Sequence, residues 1–129
     1  MEKQVGNILI VDDEPQIRDA ISLLLRPYYQ NIYTAANGML ALAVIDKEQV
    51  DCVLSDIKMP IMDGISLIKR VREKKIAVPF IFFTGYGNNE LMLEALKYGA
   101  FDFVNKPDFE NLESIRSEEH TSELQSPNT

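Results

Sequence analysis

The stretch that decides the reading is residues 52–64, CVLSDIKMPIMDG. An apolar run, Cys52-Val53-Leu54, ends on one acid, Asp56; Met59-Pro60 follows, and Asp63-Gly64 reads as a helix start. A carboxylate at the mouth of a buried strand costs free energy unless it has a partner or a task. The flanking segments supply candidates for both.

Working outward, residues 7–11, NILIV, suit a strand buried on both faces. Asp12-Asp13-Glu14-Pro15 comes next, with Pro15 fit for the first turn of a helix and Asp13 placed to cap it. Ile17, Ala20, Ile21, Leu24 and Leu25 repeat at helical spacing until Pro27. Residues 31–35 form a weaker strand, expected near an edge. Asn37-Gly38 opens a second helix running to about Glu48, and residues 51–55 form the third strand. Gly64, Leu67, Ile68 and Val71 give the third helix its buried face. Lys69, Arg70, Arg72, Glu73, Lys74 and Lys75 are expected on its wet side. Residues 78–83 are wholly apolar, hence a central strand, and Thr84-Gly85-Tyr86-Gly87 is a loop. A fourth helix over 90–98 closes on Gly99 as a left-handed cap. Residues 101–104 form the fifth strand, Asn105-Lys106-Pro107 leaves it, and a last helix beginning at Asp108 is cut short after Ile115. Strands alternating with helices predict an α/β fold, a five-stranded parallel sheet with helices on both faces.

The bulk numbers fit one domain. The chain has 129 residues, 46% hydrophobic and 26% charged, enough for a real core. No apolar run approaches the roughly 20 residues of a membrane span, and no signal peptide is evident, so a cytoplasmic location without membrane contact is expected. A single cysteine, Cys52, excludes an internal disulfide and reads as a small core residue. A formal charge of −7 argues against direct nucleic-acid binding, which depends on Lys and Arg neutralising phosphates. From Arg116 the chain reads RSEEHTSELQS, which resembles the in-frame translation of a common short-read sequencing adapter. The expected domain is therefore 1–115, with 116–129 a non-native tail. Arg116 carries one positive charge and Glu118, Glu119 and Glu123 three negative, so without the tail the charge is −5 rather than −7. The tail also holds His120, the one histidine, to which no chemistry is assigned.

In an open parallel sheet, ligands bind beyond the carboxyl ends of the strands. Here strand one ends in Asp12 and Asp13, strand three in Asp56, strand four in Thr84 and strand five in Lys106. Three carboxylates brought together repel, and either take up protons or hold a cation between them. Acidic oxygen donors without imidazole or thiolate favour a hard cation, Mg²⁺ above all. Lys106 adds a compact positive charge, and Thr84 a hydroxyl donor.

Taken as a set, Asp12-Asp13, Asp56 with Met59-Pro60 and Asp63-Gly64, Thr84-Gly85 and Lys106-Pro107 resemble the receiver domain of two-component response regulators, from Asn7 to about Ile115. That resemblance implies a flavodoxin-like strand order, 2-1-3-4-5. It implies a phosphoacceptor switch rather than an enzyme acting on a separate substrate, with Asp56 taking a phosphoryl group from a sensor histidine kinase or phosphotransfer protein. It implies Mg²⁺ bound by Asp13, Asp56 and the backbone carbonyl of Lys58, with Asp12 acting mainly through water. Thr84 and Lys106 would contact the phosphoryl group, and Phe103 would be the aromatic that swings inward behind Thr84. The Lys106-Pro107 bond is expected cis. Lys58 and Tyr86 are large enough to shield the phosphoryl group from water, and so to slow its loss. Helix 4, strand 5 and helix 5 would form the face for a homodimer or effector. Two other readings lack phosphorylation: a pseudo-receiver, and a flavodoxin-like cofactor module. The latter needs a neutral phosphate-binding loop where this chain has Asp12-Asp13-Glu14-Pro15.

Overall fold

The computed structural model describes residues 6–84 and 89–105, apart from the side chains of Thr84 and Asn105. The elements are β1 (Asn7–Val11), α1 (Pro15–Leu25), a 3-10 turn (Arg26–Tyr28), β2 (Asn31–Ala35), α2 (Gly38–Lys47), β3 (Cys52–Asp56), α3 (Gly64–Glu73), β4 (Phe80–Thr84), α4 (Asn89–Lys97) and β5 (Asp102–Asn105). All strand pairs are parallel, in the order β2-β1-β3-β4-β5. The last helix expected from Asp108 lies outside the described residues.

Side-chain alternation divides the core between the two faces of the sheet. Leu9, Val11, Val53, Phe80 and Phe82 pack with Ala41, Leu42 and Ile45 of α2, Leu67, Ile68 and Val71 of α3 and Ala95 of α4. Ile10 and Phe83 face the other way, against Ile17 and Ile21 of α1. The apolar stripe expected on α1 is narrower than its spacing suggested, because Leu24 is exposed. β2 is an edge strand, with Asn31 and Thr34 exposed. β4 is interior but starts at Phe80, two residues later than expected; Pro79 has no N–H to give a ladder, and its carbonyl accepts from Val53.

Two local expectations change. Asp13 does not cap α1: the N-cap is Glu14, without a side-chain cap bond. It is Asp12 that turns its Oδ1 onto the Glu14 N–H, at 2.8 Å. Arg72 also leaves the wet side of α3. Its guanidinium donates to the carbonyls of Tyr98 (2.8 Å), Ile76 (2.9 Å) and Val78 (2.9 Å), and stands 5.5 Å from the centre of the Phe80 ring. One side chain thus ties the end of α3, the entry to β4 and the end of α4. Burial lowers the Arg72 pKa from its ordinary value, and a guanidinium still stays protonated at neutral pH. The end of α4 is shaped as expected: Gly99 has φ +84°, and the Ala100 N–H reaches back to the Ala95 carbonyl at 3.2 Å. Cys52 is half-buried on β3, and burial pushes its thiol pKa up, with the charge of Asp51 adding to the effect.

Replacing Arg72 with Met keeps the apolar stem and leaves those carbonyls without their donor. The expected loss is about 2 kcal/mol of stability, from hydrogen bonds to a charged group. Urea denaturation monitored by circular dichroism checks it.

Candidate functional site

Register builds the site. Val11 pairs with Ser55 across β1 and β3. The next residue on each strand, Asp12 and Asp56, therefore reaches the carboxyl edge of the sheet at the same level. Asp56 pairs with Phe83 on β4, and Thr84 with Asn105 on β5. Asp12, Asp13 and Asp56 converge, each offering a carboxylate oxygen within 4.8 Å of the others. Asp12 is 0% exposed and Asp56 6%, whereas Asp13 is exposed.

Each carboxylate is held differently. Asp12 donates its N–H to Ala35 (3.1 Å), which extends the β1–β2 ladder by one rung. Its Oδ1 accepts from Glu14, and its carbonyl accepts from Arg18 Nη1 at 2.8 Å. Asp56 Oδ1 accepts the N–H of Ile57 at 2.8 Å, and the Asp56 carbonyl accepts the Ser55 hydroxyl at 2.7 Å. Among the described residues, Asp13 is placed by its backbone alone.

The loop after Asp56 is fixed from two sides. Asp63 caps α3 by accepting the Ser66 N–H at 2.8 Å, as Asp63-Gly64 suggested. Gly64 donates to the Ile57 carbonyl at 2.7 Å, and Gly38 at the start of α2 donates to the Met62 carbonyl at 2.9 Å. A Cβ on Gly64 would run into the Asp56 carbonyl and lie 2.9 Å from Phe82 Cε1. Between these ties Ile61 adopts φ 70°, with Met62 N–H donating to the Pro60 carbonyl at 2.7 Å. This is a γ-turn centred on a β-branched residue in the left-handed region, a strained arrangement. Ile61 is 79% exposed, so burial does not compensate the strain.

The remaining expected site residues are distributed as follows. Lys58 lies two residues past Asp56 with its side chain exposed. Thr84 ends β4 beside Asp56's strand. Phe103 is half-buried on β5, its ring stacked on Phe82 with centroids 6.1 Å apart. Lys106, Tyr86 and the Lys106-Pro107 bond lie outside the described residues. Arg18 gave no signal in the sequence, because its reach back to Asp12 depends on how α1 leaves the turn.

The donor set suits a hard divalent cation. Three carboxylates within 4.8 Å supply oxygen alone, the ligand type such ions take. Residues 8–116 match the family described as the response regulator receiver domain. The chain belongs to that family. Among curated relatives, it is 38% identical to the transcriptional regulatory protein ZraR of Escherichia coli K12 over 84% of this chain and 25% of that protein. It is 41% identical to the regulatory protein AtoC of the same strain, over 80% of this chain and 22% of AtoC. It is 34% identical to FixJ of Bradyrhizobium diazoefficiens, over 79% of this chain and 50% of FixJ. The chain thus spans between about a quarter and half of these relatives. Among solved structures, a CheY-like receiver from Methanospirillum hungatei superposes with TM-score 0.74 at 30% identity, covering 90% of this chain and 94% of that one. The response regulator TrrA of Thermotoga maritima, solved in complex with Mg(2+)-BeF, gives TM-score 0.71 at 31% identity, covering 88% and 98%.

Two substitutions probe this receiver's loop. Gly64→Ala is expected to destabilise by about 2 kcal/mol through overpacking against the Asp56 carbonyl. Ile61→Asn should stabilise by about 1 kcal/mol, since Asn tolerates the left-handed region. Shifts of the urea midpoint in opposite directions are the readout.

Proposed function

We propose that Asp56 is the phosphoacceptor of a two-component relay, loaded from the phosphohistidine of a sensor histidine kinase or phosphotransfer protein. The observation that carries this reading is the convergence of three carboxylates on the carboxyl edge of the sheet, with Asp56 between its neighbouring strands. Asp12, Asp13 and Asp56, with the Lys58 backbone carbonyl, are the residues that would hold Mg²⁺. Bound there, the ion supplies neutralisation of charge on the phosphoryl oxygens.

The chain's own residues do the rest. The carboxylate oxygen of Asp56 attacks phosphorus, the P–N bond to the donor imidazole breaks, and a P–O bond forms. The Ile57 N–H on Asp56 Oδ1 orients the carboxylate at 2.8 Å. Thr84 donates its hydroxyl to a phosphoryl oxygen and Lys106 pairs with the new charge. Phe103 follows Thr84 by packing alone, since it has no hydroxyl. The output face runs along α4 and β5, where Leu93, Leu96, Phe101 and Val104 are exposed. Its occupant is a second copy or an effector. Control of transcription, which ZraR and FixJ carry in their names, is the output we propose for a longer protein containing this receiver, in the cytoplasm. Residues 116–129 take no part in it.

Incubation with acetyl phosphate and Mg²⁺ should add the mass of one phosphoryl group to the intact protein. Asp56→Asn or a chelator should abolish the addition. No addition, or addition mapped to another residue, would overturn the proposal.

A further inference from the structure

We propose that Arg18 is a positioning residue for the cation site, acting through the Asp12–Asp13 peptide; the inference rests on the reading of that site as a Mg²⁺ site. Arg18 lies on the first turns of α1, half-buried, and makes two bonds back to the turn before it. Its N–H donates to the Glu14 carbonyl at 3.1 Å, and its Nη1 to the Asp12 carbonyl at 2.8 Å. The Glu14 N–H closes the same turn onto Asp12 Oδ1 at 2.8 Å.

The carbonyl that Arg18 grips is half of a rigid plane. The peptide unit is flat, so fixing the Asp12 oxygen also fixes the direction of the Asp13 N–H and the position of the Asp13 Cα. Among the described residues no side chain holds the Asp13 carboxylate, which nevertheless stands within 4.8 Å of those of Asp12 and Asp56. Asp13 is exposed, so packing does not restrain it either. Its aim depends on the peptide before it, and Arg18 donates to that peptide's oxygen.

Charge alone predicts the opposite effect. A guanidinium beside three carboxylates lowers their affinity for a cation, so a purely electrostatic Arg18 would weaken Mg²⁺ binding, and removing it would tighten binding. That repulsion is screened by solvent at a half-exposed group. Loss of an outer residue that orients a ligand typically costs 10–100-fold in metal affinity. Positioning therefore outweighs repulsion, and the sign of the change separates the two.

The test is calorimetric titration of Mg²⁺ into the full chain and its variants, with thermal unfolding in chelator run beside it. Arg18→Met, which keeps the stem and loses the donor, should bind Mg²⁺ about 10-fold more weakly. Arg18→Lys, which keeps one donor, should recover part of the affinity. In an Asp13→Asn background, Arg18→Met should cause little further loss, because the ligand it positions is already gone. Binding by Arg18→Met as tight as wild type, or tighter, overturns the proposal. So does a lowered melting temperature with unchanged affinity, or an undiminished Arg18→Met effect in the Asp13→Asn background. If Arg18→Met does not fold, a folded Arg18→Lys with wild-type melting and weakened binding supports the proposal, and one with unchanged binding overturns it. Wild-type protein that binds no Mg²⁺ overturns this inference together with the proposed function. Wild-type binding with an indifferent Arg18→Met overturns this one alone.

Discussion

Three acidic side chains share one edge of the sheet, and their mutual repulsion is the constraint around which the structure is arranged. Two of them, Asp12 and Asp56, are nearly removed from solvent. Such crowding is tolerable because backbone groups face each of the two: Glu14 N–H for Asp12 and Ile57 N–H for Asp56. Carboxylates gathered in this way suit a cation placed between them. The parallel register does the primary placement. One residue beyond the paired Val11 and Ser55, the two acids stand level. A shift of one residue between β1 and β3 would send one carboxylate to the opposite face.

Much of this was legible before the fold was known, because the signals are local. The apolar runs of β1 and β3 end on carboxylates and that of β4 on a hydroxyl, and Asp63 and Asn37 are helix caps by type and position. What could not be read is where a side chain crosses to another element. Arg72 sits in a row of charges and was expected in water, yet it serves carbonyls about 26 residues away in sequence, at the end of α4. Leu24 fits the helical period of α1 but lies outside the strip that meets the sheet. The cap position of α1 is Glu14 rather than Asp13 because the helix begins at Pro15, and Asp12 turns onto the Glu14 N–H. In each case the residue type permitted two partners and only the three-dimensional neighbourhood chose.

The loop after Asp56 shows a second kind of choice. Gly38 and Gly64 have no side chains because Met62 and the Asp56 carbonyl, respectively, come too close for any. Held at both ends, the intervening chain must turn sharply, and Ile61 takes the strained position. The sequence pattern marks the glycines clearly, but it gives no warning that a β-branched residue sits at the apex.

Arg72 has a mechanical meaning that its stabilising bonds do not convey. It fastens α4 at its carboxyl end, by the Tyr98 carbonyl, far from the amino end at Asn89. A rod pinned at one end moves as a lever. Over the nine residues of α4, about 13 Å at 1.5 Å per residue, a small rotation about the pin is small at Tyr98 and largest at Asn89. Displacement arising at the carboxyl edge of the sheet would therefore swing the helix about Arg72 rather than slide it, and of its exposed leucines Leu93 would travel farther than Leu96, which lies nearer the pin.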